Sequence, residues 1–178
     1  MNLKRIVMAS LFIAIGFIFR MLTPPVLLGM KPDFLLSMMF VTILLFDDYK
    51  MTLLIGGIVG ILTAVTTTFP GGQIANIVDK LITCQCVFLA FRLLNEKVNS
   101  QIKVLIVSFF GTILSGSAFL SVAGLLFGLP GGNTFTMLFM AVVIPAAIAN
   151  VIITAIIYNA VILAIKRTPL YGKVFEKI

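Results

Sequence analysis

Apolar residues in this chain come in long unbroken runs. Charged residues are absent from Ile6–Phe19, Met21–Met30, Phe34–Phe46, Met51–Val78, Leu81–Phe91 and Val104–Ile165. An apolar helix needs about 20 residues to span roughly 30 Å of hydrocarbon. The last run is far longer than one crossing and must fold back. Its one strong break is Gly128-Leu129-Pro130-Gly131-Gly132-Asn133, where glycines and a proline favour a turn. A second break, Phe69-Pro70-Gly71-Gly72, divides Met51–Val78. The pattern predicts a single domain, 1–178, of six helices at about 4–22, 33–46, 51–68, 73–94, 103–127 and 135–166. The second is short for a full span, but it keeps the charges consistent on the two sides.

Composition makes lipid the expected solvent. Hydrophobic residues are 61% of the chain and charged residues 11%, with a mean hydropathy of +1.20; a soluble domain carries roughly a quarter charged residues. With the N-terminus inside, Lys4, Arg5, Lys50, Arg92, Lys97, Lys103, Lys166, Arg167, Lys173 and Lys177 fall at cytoplasmic ends, against Arg20 and Lys31 outside. The positive-inside rule then predicts both termini in the cytoplasm. The net charge of +7 is explained by anchoring to an anionic inner leaflet, without nucleic acid. The basic start resembles a signal peptide, but no small-residue cleavage site closes it before Arg20, so retention as the first helix is expected.

Missing residue types narrow the chemistry. No Gly-x-x-x-x-Gly-Lys-Ser/Thr loop is present, so the chain alone is not expected to hydrolyse ATP. There is no His to act as general base near neutral pH. Cys84 and Cys86, two apart on one helix, point in different directions and read as buried apolar thiols, not metal ligands. No enzyme, cofactor or metal site is expected. A protein that moves or senses a solute is left.

The fourth helix carries the most informative polar positions. At 100° per residue, Asn76, Asp79, Lys80 and Thr83 share one face, with Gln73 a turn above. Charge two turns into a membrane is costly and marks a pathway or a site. Lys80 suits a ligand carboxylate and Asp79 an ammonium; the alternative is a structural pair pinning two helices. The loop Thr23–Asp33 holds Pro24, Pro25 and Pro32, which suits a preformed outer wall, with Lys31 and Asp33 as candidate contacts. Asp33 reads equally well as the N-cap of the second helix. In the sixth helix Asn150, Thr154 and Tyr158 form a stripe beside Asn159, with a kink expected at Pro145. Asn150 is a candidate ligand contact; Tyr158 and Asn159 are expected to bond between helices.

Small residues mark packing faces. Gly56, Gly60 and Ala64 are expected to meet another helix of this chain, and Ser10 and Ala14 another protein. The fifth helix, with Gly111, Thr112, Ser115, Gly116 and Ala118, reads as smooth and central.

Several segments resemble a known family. Pro24-Pro25-x-Leu27-x-Gly29-Met30-Lys31-Pro32-Asp33, Met38-Met39-Phe40, Ile43-Leu44-Leu45-Phe46 and Thr67-Thr68-Phe69-Pro70-x-Gly72-Gln73-Ile74-x-Asn76-x-Val78-Asp79-Lys80 resemble bacterial tryptophan transport proteins of the TrpP type. The sharp motifs lie in residues 24–80, while the C-terminal half matches in general character. That family is similar in turn to the substrate-binding S components of energy-coupling factor (ECF) transporters. The resemblance implies an all-α integral membrane bundle in the bacterial cytoplasmic membrane, a tryptophan site near the outer face, and partners comprising a coupling subunit and an ATPase pair. It implies substrate contacts among Lys31, Asp33, Phe69, Gln73, Asn76, Asp79, Lys80 and Asn150, with Phe69, Phe119 and Met137 as an apolar wall. Ser10 and Ala14 match a partner-docking Ala-x-x-x-Ala, although the serine departs from it. Two other readings stay open: a self-sufficient ion-coupled transporter of an aromatic amino acid, and a membrane scaffold or assembly factor.

Overall fold

The computed structural model describes residues 3–24, 33–94 and 98–167. Its helices are α1 (Leu3–Leu22), α2 (Phe34–Phe46), α3 (Tyr49–Val65), α4 (Gly72–Leu93), α5 (Ser100–Phe127) and α6 (Phe135–Lys166), with a 3-10 turn at Pro130–Gly132. Helices α1, α4, α5 and α6 are long and apolar enough to cross a bilayer; α2 and α3 are shorter. The caps explain where the boundaries differ from the predicted ones. Asp48 accepts from the amides of Lys50 and Met51 and starts α3 at Tyr49, and Asn99 accepts from Gln101 and starts α5 at Ser100.

Neighbouring helices run antiparallel. Gly16 of α1 lies against Met38, Gly56 of α3 against Cys84, and Ser108 and Asn150 face Thr154 and Thr112 across α5 and α6. At one end of the bundle Arg92 pairs with Asp47 at 3.3 Å and stacks over the Phe88 ring at 4.5 Å. Much of the outer surface is apolar, with Leu11, Ile61, Leu89, Phe110 and Ile156 all exposed. Exposed apolar surface on this scale calls for an apolar solvent or a partner.

At the centre stands α2, not α5 as the sequence suggested. Every α2 residue from Leu35 to Ile43 is buried, as are Leu45 and Phe46. An all-round apolar helix is one covered on all sides, and α1, α3, α4, α5 and α6 all pack against it. Its 13 residues extend only about 20 Å, so its neighbours provide its surroundings. The polar stripe of α5 instead faces α4 and α6.

Glycine sets the closest approach. A Cβ on Gly56 would stand 2.3 Å from the Cys84 sulfur, and one on Gly60 3.2 Å from the Ile77 Cα. The intramolecular partner expected for this stripe is therefore α4. Gly71 enters α4 at φ 70, a conformation that disfavours side chains. In α6 the backbone widens into a π turn over Phe139–Val143. Pro145 lacks an N–H and its ring crowds the carbonyl four residues back, so the ladder shifts register ahead of it. Two expectations need correction. Cys84 is buried against α3 but Cys86 is exposed, because positions two apart on α4 diverge by about 200°. Asn159 is exposed too, so it does not join the interior stripe.

The adjacent glycines of α3 give a paired test. Gly56→Ala should lower stability by about 1–3 kcal/mol through overpacking against Cys84. Gly57→Ala, which meets nothing within 4 Å, should be neutral or stabilise by about 0.5–1 kcal/mol through helix propensity. Thermal unfolding of detergent-solubilised protein should separate the two; equal midpoints would contradict the packing.

Candidate functional site

All six helices contribute to one polar cluster in an otherwise apolar interior. From α4, Asn76, Asp79, Lys80 and Thr83 point inward and are buried, as 100° periodicity requires. Lys80 Nζ donates to its neighbour Asp79 and, at 2.9 Å, to Ser115 Oγ of α5. Ser115 donates onward to Asp79 Oδ2 at 3.0 Å, and Thr83 donates to Asp79 Oδ1 at 2.9 Å. The carboxylate thus has both oxygens occupied. A charge in a low-dielectric interior persists only when paired and hydrogen-bonded.

The cluster continues toward the start of α2. Asp33 Oδ2 lies 3.8 Å from Lys80 Nζ, and its Oδ1 lies 3.0 Å from Arg20 Nη1 of α1. Arg20 Nε donates to Thr66 Oγ1, at the C-terminal end of α3, at 3.1 Å. Asp33 Oδ1 also accepts from the Leu36 amide at 3.1 Å, so Asp33 is both the cap of α2 and an ion-pair partner. Its own amide donates to Asn150 Oδ1 of α6 at 3.1 Å, and Asn150 Nδ2 reaches Thr112 Oγ1 of α5 at 3.4 Å. Below it, Ser108 and Thr154 hydroxyls bond at 2.8 Å.

Two acids and two bases make the cluster neutral, and it is graded in depth. Side-chain exposure falls from 19% at Asp33 and 14% at Arg20 to 4% at Lys80 and 1% at Asp79. Among the described residues, no three His, Cys, Asp or Glu gather as a metal site.

The structure brings Asp33, Asp79, Lys80 and Asn150 together. Asn76 shares the buried face, but its amide is spent on the Gly72 carbonyl at 2.8 Å. Phe69 stands edge-on to Phe119 with centroids 5.1 Å apart, at the same end of the bundle. Gln73 is exposed, apart from the cluster, and Met137 is 60% exposed. Lys31 lies outside the described residues. Ser10 and Ala14 are exposed on α1, where with Ile13, Met51, Ile55 and Ile58 they line an apolar groove of about 240 Å³ between α1 and α3.

Arg20, Thr66, Thr112 and Ser115 escaped the sequence reading as site residues. Arg20 did carry a signal: it is the one charge between Ile6 and Met30. It was assigned to the outer surface, whereas Asp33 draws it inward. Ser115 looked like a packing residue because hydroxyls and small apolar groups alternate along α5.

Helices long and apolar enough to cross a membrane, packed around a sealed, charge-balanced cluster, define a class: all-helical bundles with an internal polar site. The family is now specific. The model of the tryptophan transporter TrpP family matches residues 2–166, and the chain belongs to that family. A probable tryptophan transport protein of Clostridium acetobutylicum is 48% identical over 90% of this chain and 93% of its own length. Proteins of the same description from Bacillus subtilis and Clostridium perfringens are 46% and 40% identical, covering 94% and 95% of this chain and 96% and 97% of their own. No solved structure matches the chain.

Charge pairing in the cluster predicts non-additive stability. Asp79→Asn or Lys80→Met alone strands a buried partner and should cost about 3–5 kcal/mol. The double variant removes both charges and should cost less than the sum of the two. Thermal unfolding of the three variants measures the coupling; strict additivity would contradict the pair.

Proposed function

We propose that this protein is the substrate-binding membrane subunit of a tryptophan uptake system. It crosses the bacterial cytoplasmic membrane six times with both termini inside, and a separate ECF-type coupling subunit and ATPase pair energise it. The observation that carries the reading is the neutral cluster of Arg20, Asp33, Asp79 and Lys80, graded from accessible to sealed. A zwitterionic amino acid adds one charge of each sign and leaves such a cluster balanced, whereas a simple ion does not. The Phe69–Phe119 pair at the same end supplies aromatic surface for an indole. Membership of the TrpP family, and the description shared by its relatives, support tryptophan as the solute.

Energising by other subunits is favoured by the missing ATP-binding loop and by the exposed small-residue face of α1 at Ser10 and Ala14. Inward orientation of both termini is favoured by Lys50, Arg92, Lys103 and Lys166 at one end of the helices, while Arg20, at the other, is drawn into the cluster. Lys31, Gln73 and Asn76 remain proposed contacts, with the cluster residues and Asn150 as the main ones. A second reading is favoured by Asp79, a sealed carboxylate of the kind that binds a coupling ion: transport by this chain alone, driven by an ion gradient.

Three expected results follow. Purified protein binds tryptophan saturably by calorimetry, and Lys80→Ala abolishes that binding while the protein stays folded. Proteoliposomes containing the chain alone take up no tryptophan, and uptake appears with ATP and the partner subunits. Uptake by the chain alone under an ion gradient would favour the second reading, and a folded protein binding no solute would favour a scaffold.

A further inference from the structure

We infer that Arg20 and Lys80 form a clamp for the substrate carboxylate and that Asp33 occupies this clamp until substrate arrives. The inference rests on the tryptophan-binding reading above and adds a residue, Arg20, and an exchange step to it.

The geometry of Asp33 is that of a built-in ligand. Its two oxygens are divided between two cations from different helices, Oδ1 at 3.0 Å from Arg20 Nη1 and Oδ2 at 3.8 Å from Lys80 Nζ. A free carboxylate inserted between α1 and α4 would make the same two contacts, since guanidinium and ammonium groups both bind carboxylates by charge-assisted hydrogen bonds. The longer distance exceeds a hydrogen bond, so Asp33 holds Lys80 by charge alone, and its close contacts are Arg20 and the Leu36 amide, both on Oδ1. Asp33 is also the most exposed of the four charged side chains.

Each cation has a partner besides Asp33. Arg20 is anchored through Nε on Thr66, a different nitrogen from the one that meets Asp33. Lys80 is anchored on Asp79 and Ser115. Asp79 has Thr83 and Ser115 besides Lys80, so a shift of the ammonium leaves it hydrogen-bonded. When the Asp33 carboxylate yields its place it becomes the partner for the incoming ammonium. The exchange conserves charge at every position. No bond is made or broken covalently, and no proton need move. Asp33 also caps α2 and bonds Asn150 through its amide, so exchange at its side chain is felt at the N-terminus of the central helix and in α6.

This assignment separates three indole ligands by charge. Tryptophan has both groups, indole-3-propionate only the carboxylate, and tryptamine only the amine. The protein contains no Trp, so ligand indole fluorescence is read without any indole emission from the protein. Asp33→Asn keeps a good helix cap but cannot hold the clamp by charge. It should bind indole-3-propionate roughly tenfold tighter than wild type, and tryptophan more weakly, one charge-assisted bond being on the order of tenfold in affinity. Arg20→Gln, tested independently, should weaken tryptophan by a similar factor while leaving tryptamine as in wild type. Thermal unfolding checks that each variant is folded. Unchanged or weaker indole-3-propionate binding by folded Asp33→Asn would overturn the exchange. Equal loss of tryptophan and tryptamine in Arg20→Gln, or no loss of tryptophan, would overturn the clamp. A wild type that binds none of the three would instead overturn the tryptophan reading itself, and the clamp with it.

Discussion

Two charges sealed in an apolar bundle govern this structure. Lys80 and Asp79 are almost completely buried, and neither is tolerable there without partners. Their requirements draw Ser115 from α5, Thr83 from the next turn of α4, and Asp33 from the head of α2. Asp33 in turn draws Arg20 inward from α1 and rests its amide on Asn150 of α6, while Arg20 reaches Thr66 at the end of α3. Each helix, or its cap, therefore gives at least one polar group to a shared network. The packing around that network is free to be apolar, and it is.

The arrangement also explains the unusual place of α2. A helix of 13 residues is a poor membrane span, yet a good central post when the surrounding helices shield it. Its face-to-face contacts are made by Leu35, Met39, Phe40 and Val41, none of which reaches the surface. Its polar end, Asp33, is the point at which the network and the core meet. A change at the cluster is consequently coupled to the helix that touches most others. Gly56 and Gly60 bring α3 against the Ile77–Cys84 stretch of α4 that carries Lys80, so packing and site share one face of that helix.

The polar face of α4 was legible in advance because the period of a helix places Asn76, Asp79, Lys80 and Thr83 together whatever surrounds them. Asp33 was legible as the cap of α2, because an acid before an apolar run suits that place, but its ion pairs with Arg20 and Lys80 were not. Gln73 shows the limit of the same logic: helical period puts it near the azimuth of Lys80, but it lies in the first turn of α4 and is exposed. Arg20 shows another. A lone base near a helix end reads as a surface anchor unless the acid that recruits it is known, and that acid lies across a turn in another helix.

The sequence by itself determined the number of helices, their breaks and their polar faces, since run length, turn residues and helical period are properties of local stretches of chain. Membership of the TrpP family was visible there too, in the motifs of residues 24–80. Tertiary structure alone decided that α2 and not α5 stands at the centre, that Cys86 and Asn159 face outward, and that Arg20 turns in to join Asp33 and Lys80. Those outcomes depend on which helix faces which. An apolar helix presents nearly equivalent faces to its neighbours, so only the joint satisfaction of the buried charges, with the glycine contacts of α3 and α4, selects the arrangement.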